Sequence, residues 1–451
     1  MLAVVAMVCV AGGCATGDRQ VPPPAEAPAA PQPGTVLDLA LWESEPLVRT
    51  RVIYTMESLR LTPTGQWMTG DMALPGGETV TLAPSGGNVV LADGAGNVLI
   101  DQPLLILTPG DSGATILAEK VPYGIGWWWA AEQDRVYTGI LEVRATEDEK
   151  LDVVVVLPIE EYLRGVVPSE IGGDAHPEAL KSQAVAARSE TVVALRTRKY
   201  AGPHYDLCAD VECQAFSGLS KVTAAADEAI RATRGQVLTY EGEPIGAYYA
   251  SNCGGYAEAA HVVWPDRTKP VPYWSANPDL MDDSRPVLDT DKAVAEWLDA
   301  NPPAWCNPDL HPGLPSWSKR NFRWEREIET AQITAALERR GTPVGRVLEL
   351  RSGERGESGR LKTLIVVGEQ GQAEVGPELA IRQLVDPPLR SACFVVSPGS
   401  APDKLMVRGA GWGHGVGMCQ TGAIARAQAG QDYATILAHY YRETRLMKAY
   451  R

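Results

Sequence analysis

Glycine occupies every second position at Gly411, Gly413, Gly415 and Gly417, with Trp412, His414 and Val416 between them. No ordinary strand or helix is built this way. Removing alternate side chains lets another part of the molecule approach the backbone closely. The run has no Lys-Ser/Thr ending, so it is not a phosphate loop, and Met418 stands where a dinucleotide fingerprint needs glycine. What remains is a tightly packed loop around His414, with His414 and Gln420 facing a cleft. The alternative is a buried structural histidine.

The chain has 451 residues, enough for two or three lobes. Its net charge of -15 argues against a nucleic-acid partner, which requires clustered Lys and Arg. Glycan binding remains open, because it relies on hydrogen bonds and aromatic faces. The 12 Trp residues suit glycan stacking or core packing.

Leu2 to Gly13 is apolar but too short to span a bilayer, and ends in Ala11-Gly12-Gly13-Cys14. This is similar to a bacterial lipoprotein cleavage box, although no Lys or Arg precedes the apolar run and Ala11 replaces the usual Leu. The expectation is a lipoprotein-type signal over 1–14, lipidated at Cys14, and a Pro/Ala-rich tether over 15–35. An ordinary cleaved secretory signal is the alternative. Beyond Cys9 and Cys14 lie Cys208, Cys213, Cys253, Cys306, Cys393 and Cys419, an even set compatible with disulfides in an exported protein.

Residues 36–136 read as β-rich, with short apolar runs separated by turns such as Ser85-Gly86-Gly87-Asn88. Gly110-Asp111-Ser112-Gly113 resembles the nucleophile loop of trypsin-like proteases, but no His precedes His176, so it is read as a turn. Residues 137–278 continue with strands, a buried run at Val153 to Val156, and a helix from Pro158 to about Arg164 that Gly165 stops. Glu170 then falls on a connecting loop. A second helix begins near Asp174 or His176. Leu180, Ala184, Ala187 and Thr191 form its buried stripe, and Lys181 and Arg188 share another face. Residues 279–400 read as a second lobe or large insertion. Residues 401–451 contain the Gly-rich segment and a C-terminal helix from about Asp432. No internal repeat is visible.

Three segments carry the candidate chemistry. They are LPIEEYLRGVVPSEI from Leu157 with LKSQAVAARSE from Leu180, then YASNCGG from Tyr249, then GAGWGHGVGMCQTGA from Gly409. Together, in order and spacing, they resemble the stage II sporulation protein D family, also called the amidase-enhancer or LytB-type domain. Arg355-Gly356-Glu357-Ser358-Gly359-Arg360 and Leu389-Arg390-Ser391 fit a family member with a long insertion.

The resemblance implies a lytic transglycosylase acting on bacterial cell-wall glycan, with Glu170 as catalytic acid/base. One carboxyl group suffices for that chemistry. It protonates the leaving oxygen, then deprotonates the sugar's own C6 hydroxyl, which attacks C1 and closes a 1,6-anhydro ring. The apolar Val166-Val167-Pro168 is expected to raise the Glu170 pKa. The bland alternative is a surface residue or a cap of the next helix. Glu160 and Glu161 are rival acids, but a first helical turn already suits them.

Lys181, Gln183 and Arg188 would line the groove in a family-like fold, or form a solvated helix face. Asn252 would offer its amide to sugar hydroxyls, or be a turn residue. Some family members bind zinc near the segment holding His204, Cys208 and Cys213, which makes these three candidate ligands. The rival is a Cys208–Cys213 disulfide, or pairing with Cys253 or Cys419. The expected molecule is an α+β protein acting on peptidoglycan strands stripped of stem peptides. A non-catalytic amidase enhancer, binding glycan and a partner amidase, is the alternative. A wall-tethered scaffold would leave the cleft motifs without purpose.

Overall fold

A computed structural model describes residues 37–451 except 40, 126–129, 211 and 267. The expected signal, its Cys14 and the tether over 15–35 lie outside the described residues. The described chain is α+β.

Two antiparallel-rich sheets come first. A six-stranded sheet runs in the order Ala131–Tyr137, Thr115–Tyr123, Leu59–Thr64, Val80–Ser85, Asn88–Ala92 and Val98–Gln102. Its strands alternate inward and outward: Leu59 and Leu61 are buried while Arg60 is exposed, the period-two pattern of a sheet with one face on a core. A seven-stranded sheet places Leu151–Pro158 between Leu47–Ile53 and Ile140–Ala145, so its strands come from both sides of residue 137. Leu151 to Leu157 are buried without alternation, as a central strand covered on both faces must be. Gly110-Asp111-Ser112-Gly113 is a turn, tied down by the Gln66 N–H donating to Asp111 at 2.7 Å.

Leu151–Pro158 leads straight into the helix Ile159–Val167. Gly165 does not stop this helix as expected. It lies inside it, and the absence of a side chain makes room for the Phe216 ring, which would stand 2.5 Å from a Cβ there. The long helix Pro177–Thr197 starts where expected, with His176 Nδ1 accepting the Glu178 N–H and Pro177 in the first turn. It is buried nearly all round, packed by Ile159–Val167, Ala224–Ala232, Gln420–Gln428, Tyr433–Tyr440 and the strand Gln236–Tyr240. Leu180, Ala184, Ala187 and Thr191 are 0% exposed, and so is Arg188, which was expected on another face.

A separate apolar core gathers residues between Ile328 and Val407. It is built from the helix Thr330–Arg339, the three-stranded meander Val347–Ser352, Leu364–Gly368, Gly371–Val375, and a second three-stranded sheet centred on Lys404–Ala410. That central strand delivers the chain into the Gly-rich loop. The helix Tyr433–Tyr440, capped by Asp432, matches the expected start, but the chain ends in a strand. Arg445–Lys448 pairs with Gln236–Tyr240 and with Leu37–Asp38. Among the described residues no helix is long and apolar enough to cross a membrane.

Candidate functional site

Ile159–Val167 runs into a single π-helical turn, Pro168–Gly172, rather than a loop. Such turns widen a helix locally and re-aim a side chain. The re-aimed residue is Glu170. The segment Gln214 to Gly218 lies alongside, locked by Phe216 stacking on Tyr162 at 5.2 Å and by Ser169 and Ser217 hydroxyls 2.6 Å apart. This presents the Ala215 N–H to Glu170 Oε1 at 2.7 Å. Gln420 Nε2, at the start of the helix Gln420–Gln428, donates to Glu170 Oε2 at 3.4 Å and to Gln183 Oε1 at 3.2 Å. The strand Tyr249–Ala250 pairs in parallel with Met418–Cys419, which is how the second and third motifs meet. It brings the Tyr249 hydroxyl to Glu170 and to Gln214 Oε1.

Glu170 is partly buried. Desolvation pushes its carboxyl pKa above the usual range, against the opposing pull of the Ala215 amide, Gln420, Tyr249 and the Lys221 charge. Val166, Val167 and Pro168 are buried around it, as the sequence suggested. Gln183 is 0% exposed; its Oε1 meets Gln420 and its Nε2 has no hydrogen-bond partner.

The charges of Glu170 and Glu190 both act on the buried Tyr162 and Tyr249, and Glu190 Oε1 accepts from Lys199 at 2.8 Å and from Tyr200 at 3.0 Å. Lys199 also donates to the Tyr248 hydroxyl at 3.1 Å. There it meets partly exposed aromatics. Tyr248 lies 4.8 Å from Trp264 and 5.3 Å from Trp274, and His414 packs 4.9 Å from Trp264. Burial, with the Arg382 and Arg360 charges, lowers the His414 pKa to about 3. Its ring is therefore neutral at physiological pH. Nδ1 accepts the Val416 N–H at 3.0 Å, which assigns the proton to Nε2.

Gly415 explains the glycine pattern. It has φ +75°, and a Cβ there would fall 2.3 Å from Arg360 Cζ. Arg360 is fully buried and donates to the carbonyls of Tyr256 and Cys253, both at 3.1 Å. The Gly-rich loop thus lies on a guanidinium from the Arg355–Arg360 motif.

Several expected residues are elsewhere. Arg188 is no groove donor: it forms a buried ion pair with Glu160 at 2.7 Å, and Glu160 also accepts from Tyr450 and Gly235. Burial opposes ionisation of Glu160, but these partners outweigh it and hold its pKa low. Glu161 pairs with Arg164 at 2.8 Å. Lys181 pairs with Glu178 at 2.7 Å, and Glu178 in turn accepts the Tyr433 N–H, tying two helices together. Asn252 is 0% exposed and bridges backbone, pairing with Trp412 and accepting the Gly254 N–H at 2.8 Å. Sequence reasoning missed Tyr248, Tyr249, Trp264, Trp274, Lys199 and the Ala215 amide. Tyr249 stood in a quoted motif, but nothing in the one-dimensional pattern distinguishes the others.

The proposed zinc set does not assemble as three ligands. Cys208 and Cys213 are joined in a disulfide with Cα atoms 5.7 Å apart, and His204 is exposed, its carbonyl accepting from Arg49. Two sulfurs bonded to each other cannot serve as thiolate ligands. The bridge instead closes the turn leading to Ala215, the donor to Glu170.

Residues 147–240 match the family model described as stage II sporulation protein, and residues 276–417 match a domain of unknown function. The amidase enhancer of Bacillus subtilis is 29% identical over 63% of this chain, which spans 40% of that protein. Stage II sporulation protein D of Bacillus amyloliquefaciens is 26% identical over 65% of this chain and 75% of its own length.

Proposed function

We propose that this chain, which carries a domain of the stage II sporulation protein D and amidase-enhancer family, cleaves peptidoglycan glycan strands as a lytic transglycosylase. The observation carrying this reading is the Glu170 carboxyl, whose pKa is raised by burial while side chains from two distant segments, Gln420 and Tyr249, donate to it. A protonated Glu170 delivers its proton to the glycosidic oxygen after N-acetylmuramic acid. The resulting carboxylate takes the proton of the C6 hydroxyl, which attacks C1 and gives the 1,6-anhydro product. Glu190 is neutralised by Lys199 and is suited to positioning rather than to a second acid/base step. The partly exposed Tyr248, Trp264 and Trp274 supply faces for the apolar side of a sugar ring.

The proposal assigns 137–278 and 401–451 to the catalytic region and 279–400 to an inserted lobe. It includes export, with anchorage through Cys14, and a Cys208–Cys213 disulfide fits an oxidising compartment. Radiolabelled fatty acid on the full chain, lost in Cys14→Ser, tests the anchor.

A second reading is favoured by the short bond from Ala215 to Glu170, which gives the carboxylate a structural occupation. The protein would then bind glycan and stimulate a partner amidase. Peptide-free glycan strands incubated with the protein and with Glu170→Gln separate the two. Anhydro-muramyl fragments from the parent alone support the transglycosylase; strand binding without products supports the enhancer; reducing-end products would indicate hydrolysis.

A further inference from the structure

Four buried side chains converge behind the Gly-rich loop. They are Cys253, Asp279, Cys306 and Cys419, exposed by 3%, 0%, 0% and 1%. One ligand atom from each lies within 4.8 Å of all the others. Cys253 Sγ is 3.7 Å from Cys306 Sγ and 3.7 Å from Asp279 Oδ2. A tetrahedral ion with metal–sulfur bonds of about 2.3 Å requires ligand–ligand edges of about 3.8 Å. We propose that these four residues bind one zinc ion in a closed structural site.

The surroundings are those of a ligand set. Asp279 Oδ1 is held by Arg426 at 2.9 Å and His439 at 3.3 Å, which leaves Oδ2, fixed by the Tyr440 hydroxyl at 3.0 Å, turned toward the sulfurs. Such outer partners orient a ligating carboxylate. Cys419 Sγ accepts two backbone N–H groups, from Cys253 at 3.2 Å and Gly422 at 3.3 Å, an arrangement that favours a thiolate. Three thiolates and a carboxylate around a dication leave the cluster anionic. Arg426 contacts it, and Arg323 is close enough to Cys253 and Cys306 to act on their charge.

Disulfide chemistry does not account for the cluster. Three sulfurs cannot all pair with one another, and any bridge strands the third beside a carboxylate. Thiolates with one carboxylate select zinc over the hard cations, and four protein ligands leave no open position for a substrate.

The ion would clasp segments far apart in sequence. Cys253 follows the strand Tyr249–Ala250, Asp279 and Cys306 belong to the 276–417 match, and Cys419 immediately precedes Gln420, the donor to Glu170. The proposal does not depend on what the protein does to glycan, and its test reads metal rather than activity. The full chain, purified without chelator, is expected to carry about one zinc by elemental mass spectrometry. Cys306→Ser and Cys419→Ser should lose it, while Cys208→Ser keeps it. Should the serine variants fail to fold, cobalt exchange into the parent chain is decisive. Thiolate-to-cobalt charge transfer together with tetrahedral d–d bands is the expected spectrum. A metal-free chain that gives no such spectrum, whether its three cysteines are free thiols or bridged, overturns the site.

Discussion

Gln420 Nε2 and Glu170 Oε2 lie 3.4 Å apart, although 250 positions of chain separate the two residues. The contact exists because the parallel pairing of Tyr249–Ala250 with Met418–Cys419 delivers the start of one helix to the π-turn that ends another. It also makes the carboxylate tunable, since a donor to the ionised form stabilises it.

The pH dependence follows from that contact. Burial, the largest effect, holds the Glu170 pKa above the ordinary glutamate range. A general acid must carry its proton, so cleavage persists above an ordinary glutamate's pKa and falls as pH rises through the raised value. Gln420→Ala removes a donor to the carboxylate, and the falling limb should move to higher pH in a kcat/KM profile. Glu170→Gln should lower the rate by about 10²–10⁴-fold. It should also raise the melting temperature at alkaline pH, because a raised carboxyl pKa means stability is lost as pH rises through it.

Breaking the Glu160–Arg188 pair should be costly. Both partners are buried at 2.7 Å separation, and removing one strands the other. Arg188→Ala should destabilise the chain by about 3–5 kcal/mol in a denaturant titration. Because the Glu160 pKa is lowered, its contribution is present above the unfolded pKa. That contribution is lost as pH falls through the folded value, so the parent should lose stability in acid and the variant should lose less.

Gly415→Ala should disturb the Gly-rich loop where it lies on the Arg360 guanidinium. Its φ of +75° disfavours a side chain and its Cβ would collide with Arg360. A loss of more than about 1 kcal/mol is expected in thermal or chemical unfolding, together with loosened Arg360 packing. A neutral substitution would contradict the close approach.

Trp264→Ala tests the aromatic platform. Trp264 lies 4.8 Å from Tyr248 and 4.9 Å from His414. A stacked sugar should be lost at a cost of about 1 kcal/mol, roughly fivefold in Kd. Calorimetry with peptide-free glycan oligomers would show it, with the turnover at saturation little changed.

By itself the sequence determined the α+β class, the β-rich character of the region before residue 137, the start of the long helix near His176 with Pro177 in its first turn, and the apolar run before Glu170. These are local: each depends on side chains a few positions apart and on backbone rules that need no partner. Gly165 was misread because glycine stops a helix locally, whereas here it admits the Phe216 ring. Arg188 was misread because helical spacing says which residues share a face, not what covers that face. The tertiary structure buried Arg188 by bringing Glu160 and Tyr450 to it. The same holds for the site. The Ala215 amide, the Tyr248–Trp264–Trp274 patch and the sulfur–carboxylate cluster join residues tens to hundreds of positions apart. Which distant groups meet is decided by sheet pairing and by which surfaces exclude water together, and no periodicity in the chain encodes either.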